Sequence, residues 1–148
     1  MDHDLVYHAA NSLILPGWLA MILRPSWRFG TDVLAPVITP VAMAALYSVY
    51  LVLAMTADGD GGGFGSLAEL SAAFSVDVGV MVGWAHYLVA DIFIGSWALR
   101  DSQRLGIKHG VMVPILILLL MLMPVGFLIY MLVRARHAGW AVSGGRGA

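Results

Sequence analysis

The chain has no cysteine among its 148 residues. That excludes disulfides, thiolate-ligated metals and a thiol nucleophile. Charge is scarce as well: 11 % of residues are Asp, Glu, Lys or Arg, and the formal net charge is −1. A soluble domain carries about 25 % charged residues. The near-zero net charge gives no pull toward nucleic acid, and no nucleic-acid partner is expected. The N-terminus lacks the basic start and small-residue cleavage site of a secretory signal, because Met1–Asp4 is acidic. No Lys follows the glycines of 57–63 and no strand pattern precedes them, which argues against a phosphate-binding loop. The ligand spacing of a helix–loop–helix calcium site is missing there too. That stretch reads as a plain acidic loop.

What is abundant is apolar: 60 % of residues are hydrophobic. A membrane span needs about 20 mostly apolar residues. Four such runs are expected, over 5–23, 33–55, 76–99 and 111–133, joined by a loop at 56–75 and followed by a tail at 134–148. The predicted fold class is an all-α polytopic membrane protein, a four-helix transmembrane bundle forming one domain. Pro16-Gly17 implies a kink in the first span. Pro36 and Pro40 fall in the first turns of the second, where a missing N–H costs least. Pro124-Gly126 interrupts the fourth. Residues 66–75 carry Leu67, Leu70 and Phe74 on one side, as an interfacial helix would.

Orientation is read from Lys and Arg. With four spans, the first and third loops share a side and carry Arg24, Arg28, Arg100, Arg104 and Lys108. The tail carries Arg134, Arg136 and Arg146 on the opposite side. The expected arrangement is therefore an integral membrane protein with its basic loops in the cytoplasm and both termini out; the membrane expected is a bacterial inner membrane.

Chemistry is expected where polar groups sit inside apolar runs. Asp91 is the most informative, because a carboxylate at the centre of a span costs about 2.5–3.5 kcal/mol on the insertion scale. Such a group faces the protein interior as a candidate acid or base, or makes a structural hydrogen bond to Asn11, Ser12, a Tyr or helix backbone. Tyr87 lies four residues before it and Trp84 seven, on one helical face. His86 lies five before, about 140° around the helix, and can border the same cavity. His8, Asn11 and Ser12 share a face of the first span. His8 and Asn11, with Trp84 and Trp97, are candidate ligand-binding residues for a long apolar molecule. His86, Asp91, Asp101 and His109 form a His/Asp set able to take a divalent metal, although their spacing matches no standard zinc pattern. A solvated turn is the simpler account of Asp101, Arg104 and Lys108, as is a surface ion pair between Arg100 and Asp101.

The run GWAHYLVADIFIGSWALRD at 83–101, followed by IKH at 107–109 and PVGFLIY at 124–130, resembles the abscisic-acid-deficient-four family. These are small four-span membrane proteins of plants and bacteria. The likeness covers about 67–133, more weakly 15–50, and centres on Trp84, His86, Leu88 and Asp91 with Arg100, Asp101, His109, Pro124, Val125 and Gly126. The plant members are implicated in neoxanthin synthesis. The resemblance implies a role in xanthophyll metabolism: isomerisation of a 5,6-epoxide end group to an allene, with no net redox cofactor. An acid must protonate the epoxide oxygen and a base must remove a nearby proton. Asp91 and His86 are assigned those roles, with Tyr87 donating to the oxygen. The expected partners are a carotenoid or other polyene lipid, the bilayer, and a second copy or another membrane protein. Two alternatives stand beside this reading: a non-catalytic pigment- or lipid-binding subunit, and a metal-dependent membrane enzyme.

Overall fold

The computed structural model describes residues 2–56 and 63–138. The expectations for the glycine-rich loop from Ala57 to Gly62 and for the tail beyond Ala138, Trp140 included, fall outside these residues. The described residues form helices joined by short turns, without strands.

Helix α1 spans His3–Leu23 and runs without a break through Pro16. Its start is fixed by Asp2, whose carboxylate accepts the Leu5 N–H at 3.1 Å. The second long helix starts at Phe29, earlier than expected. Its first part, Phe29–Ile38, is π-helical, and α2 follows over Thr39–Thr56. The proline at 36 removes a donor from the ladder, and the Thr39 N–H reaches back five residues to the Leu34 carbonyl. A short helix α3, Leu67–Ala73, sits where an interfacial helix was expected, capped by the Ser66 hydroxyl.

Helix α4, Asp77–Arg104, is longer than its apolar run. It does not stop at the charged residues after Leu99; it stops at Gly106, which has φ +68°. There the Ile107 N–H bonds to the Ser102 carbonyl and the Gly106 N–H to that of Gln103. This paired C-terminal cap favours glycine at the left-handed position. Arg100 and Asp101 are thus helical, not part of a turn.

The fourth expected span is not a single crossing helix. It divides into α5, His109–Met121, and α6, Met123–Ala138. The two fold back on each other at Leu122, whose φ and ψ are −145° and 67°. The direction of α6 follows from its contacts. Helix α5 climbs alongside α4 from His109, whose ring nitrogen meets the Ile22 carbonyl at 2.9 Å, to Met121, whose carbonyl meets Tyr87. Helix α6 then descends: Phe127 and Tyr130 pack on Trp97, and Arg134 reaches Asp101. A straight continuation would carry residue 134 far past Tyr87, in the other direction. The turn is possible because Gly126 lies against the backbone of α5; a Cβ there would be 2.5 Å from the Leu119 nitrogen. Pro124 has no N–H to give the Leu120 carbonyl, which removes one bond that would keep the helix straight.

Three helices, His3–Leu23, Phe29–Thr56 and Asp77–Arg104, are long and apolar enough to cross a membrane. At 1.5 Å per residue the hairpin arms reach only about 20–24 Å. With three long passes and one return, the described chain ends lie at opposite ends of the molecule. This return differs from the straight fourth span expected from sequence. It also gathers the cations: Arg24, Arg28, Arg100, Arg104, Lys108, Arg134 and Arg136, all the Lys and Arg of the described residues, sit at the end where α1 stops. Asp2, Asp4, Glu69 and Asp77 sit at the other.

Candidate functional site

Between α1, α4 and the tip of the α5–α6 hairpin lies a cavity of about 400 Å³. It is within the range of small-molecule pockets, roughly 300–1,000 Å³. His8, Asn11 and Ser12 supply its polar side, and Trp84, Tyr87, Leu88, Leu120 and Met121 supply most of the rest. Helical spacing explains the first group, since residues three and four apart on α1 face one way. Asn11 is held in place: its amide donates to the Tyr7 carbonyl at 2.8 Å and accepts from the Trp84 indole at 3.3 Å. Trp84 and Tyr87 stack with centroids 5.5 Å apart and planes at 29°, and Tyr7 packs on Trp84. The result is an apolar slot with aromatic walls and a polar rim.

Asp91 lies one turn below Tyr87, is 0 % exposed and does not itself line the cavity. Neither of its carboxyl oxygens has a hydrogen-bond partner among the described residues. The structural bond to Asn11, Ser12 or helix backbone, open as an alternative from sequence, is not formed. Tyr87 is close enough to interact with Asp91 electrostatically, yet its O–H donates to the Met121 carbonyl at 3.3 Å. The Trp18 indole nitrogen is the other buried polar atom without a partner, and its ring packs against Gly95, one turn beyond Asp91.

The expected site residues therefore divide. His8, Asn11, Trp84 and Tyr87 come together, with Asp91 behind them. His86 does not join them: it is exposed on another face of α4, its ring 5.8 Å from that of Tyr47 on α2. Five residues of helix turn it away from Asp91 and toward α2. Trp97 packs on Phe127 and Tyr130 inside the hairpin contact, away from the cavity.

The four members of the metal set are not gathered. Among the described residues no group of three or more His, Asp or Glu side chains is placed to hold a metal. His109 serves the Ile22 carbonyl. Asp101 is not a solvated turn residue: its Oδ2 accepts the Tyr130 O–H at 2.6 Å and the Arg134 Nε–H at 2.7 Å. Tyr130 is 0 % and Arg134 3 % exposed. This buried cluster fastens the base of the hairpin to α4. It escaped the sequence reading because Arg134 was taken as part of a tail. Leu120 and Met121 were missed for a related reason, since a straight fourth span would not bring a hairpin tip to Tyr87. The Pro124-Gly126 signal was visible, but as an interruption, not a reversal.

These features define an all-helical membrane protein with a buried acid beneath a slot between helices. The model of the ABA DEFICIENT 4-like family matches residues 5–130, and the chain belongs to that family. No curated protein and no solved structure matches it.

Proposed function

We propose that the cavity receives the oxygen-bearing end group of a carotenoid or related polyene, and that Asp91 acts on it as an intramembrane acid. The observation that carries this reading is the fully buried Asp91 carboxyl without a partner. An unpaired polar group in a low-dielectric interior costs several kcal/mol, and intramembrane ionisable groups by default serve function. The neoxanthin-related role of the plant members agrees with such a ligand. In the proposed isomerisation Asp91 gives its proton to the epoxide oxygen as the carbon–oxygen bond breaks. Tyr87 holds that oxygen by a hydrogen bond. His8, the imidazole on the same cavity, takes the proton lost from the adjacent chain carbon, so the reaction needs no net reductant or oxidant. The flat Trp84–Tyr87 pair suits a conjugated chain.

We infer a membrane arrangement consistent with the same geometry. Three helices cross, the α5–α6 hairpin is re-entrant, and the cationic end faces the cytoplasm under the positive-inside bias. The N-terminus is then outside, the end of α6 inside, and the cavity in the outer half of the bilayer. Irregular backbone at that depth is tolerated where it is buried or lines a cavity, as the hairpin tip does.

The test is pigment profiling of membranes containing the protein and violaxanthin. Conversion to an allenic isomer supports the proposal; unchanged pigment with folded protein overturns it. A second reading, a pigment-binding subunit without turnover, is favoured by one observation: Tyr87 and Leu88, not Asp91, form the cavity wall. Asp91→Asn separates the two. The enzyme loses conversion and keeps the pigment, whereas the binder is unaffected.

A further inference from the structure

We propose that Tyr87 is a gate between the cavity and Asp91, and that the Met121 carbonyl at the hairpin tip is its latch. The proposal rests on the reading of Asp91 as the reactive acid, but its evidence is geometric.

In an unbroken helix the Met121 carbonyl would accept the Val125 N–H. Here the Val125 N–H turns to the Leu122 carbonyl at 3.0 Å, and so does that of Gly126. The fold-back thus releases the Met121 carbonyl at the exposed tip of the hairpin, and in an apolar surrounding such a backbone acceptor needs a donor. Tyr87 supplies it from α4, 34 positions away in sequence. The phenol proton is committed to that carbonyl, and the two oxygens of Asp91, one turn along α4, are left without partners. Tyr87 lines the cavity and Asp91 does not. In this state a ligand meets the phenol and not the acid.

A ligand oxygen entering the slot competes with the Met121 carbonyl for the one Tyr87 proton. When the ligand wins, the ring leaves the hairpin tip and Asp91 becomes accessible to the same oxygen. The acid is thereby kept from the cavity until a molecule with an acceptor at the right depth arrives. The base of the hairpin is held separately by Asp101, Tyr130 and Arg134, so the tip can yield without the hairpin coming off.

Dicyclohexylcarbodiimide, an apolar carboxyl reagent, tests the gate without any substrate. Full-length protein in detergent is treated with it, and modification of Asp91 is followed by peptide mass spectrometry. Asp91→Asn is the control for assignment. Wild-type protein should react slowly. Tyr87→Phe, which keeps the ring and loses the latch, should react roughly fivefold faster, the effect of one neutral hydrogen bond. Tyr87→Ala should react faster still. Equal rates in wild type and Tyr87→Phe would overturn the gate, as would an Asp91 that stays unmodified in a folded Tyr87→Ala. If Tyr87→Ala does not fold, the Phe variant decides alone. Accelerated labelling with no pigment conversion by the wild type would overturn the isomerase reading and leave the gate standing. Conversion with unchanged labelling would do the reverse.

Discussion

Two carboxyl groups lie ten residues apart on α4, both buried, and their surroundings differ completely. Asp101 has an oxygen shared by a phenol and a guanidinium. Asp91 has no partner on either oxygen. The first is a fastening, because its charge is neutralised where it sits and two helices are tied by it. The second is a cost to the fold that nothing in the described residues offsets, and it sits behind a slot. Burial is common to both acids on this helix; the absence of a partner sets Asp91 apart. The hairpin creates both conditions. Its descending arm brings Tyr130 and Arg134 to Asp101, and its tip leaves Met121 to occupy Tyr87.

The contrast is sharpest in what each acid should do when removed. Asp101→Ala takes away the acceptor shared by Tyr130 and Arg134 and should destabilise the protein by about 3–5 kcal/mol. Thermal unfolding in detergent measures this, and a loss below about 1 kcal/mol would mean that Asp101 is not a fastening. Asp91→Asn should leave the unfolding temperature the same or higher, since an orphaned carboxyl is relieved. It should lower pigment conversion by about a hundredfold or more, the size of a general-acid contribution. A large drop in stability would instead put Asp91 with Asp101. Gly126→Ala should cost about 1–3 kcal/mol, because the added methyl meets the α5 backbone. In a straight fourth span the same change would stabilise by up to about 1 kcal/mol, so the sign alone separates the two folds. The smallest effect is expected for His86→Ala. It should change stability by no more than about 0.5 kcal/mol and leave conversion intact, and lost conversion would return His86 to the site.

Much of this was legible in the sequence, for reasons that particular residues make clear. Three apolar runs became three long helices because length and hydropathy alone decide that outcome. Asp91 stood out because a carboxylate is expensive in such a run, and Tyr87, Trp84, His8 and Asn11 followed by helical spacing. His86 lies apart from that group because residues five apart on a helix point to different faces. Asp101 and Arg134 were misread because both flank apolar runs, where a charge ordinarily meets water. Nothing local announces that 33 residues of chain return to the same level. Pro124 and Gly126 mark the turn, but those residues interrupt a crossing helix as readily as they reverse one, and only the packing of Gly126 on Leu119 distinguishes the outcomes. The same reversal brings Arg134 and Arg136, read from sequence as part of a tail opposite the basic loops, to the end of the molecule that holds the other cations of the described residues.

The contrast between the two acids depends on α6 folding back, and the absence of native cysteine makes that directly testable. Single cysteines at Asp4 and Ala138, in the full-length protein in sealed vesicles of uniform orientation, can each be labelled with a membrane-impermeant maleimide. Three crossings and a re-entrant hairpin predict that the two positions react from opposite sides of the membrane. Reaction of both from the same side would establish a fourth crossing, and would contradict the hairpin, the Asp101 fastening and the latch at Met121 together.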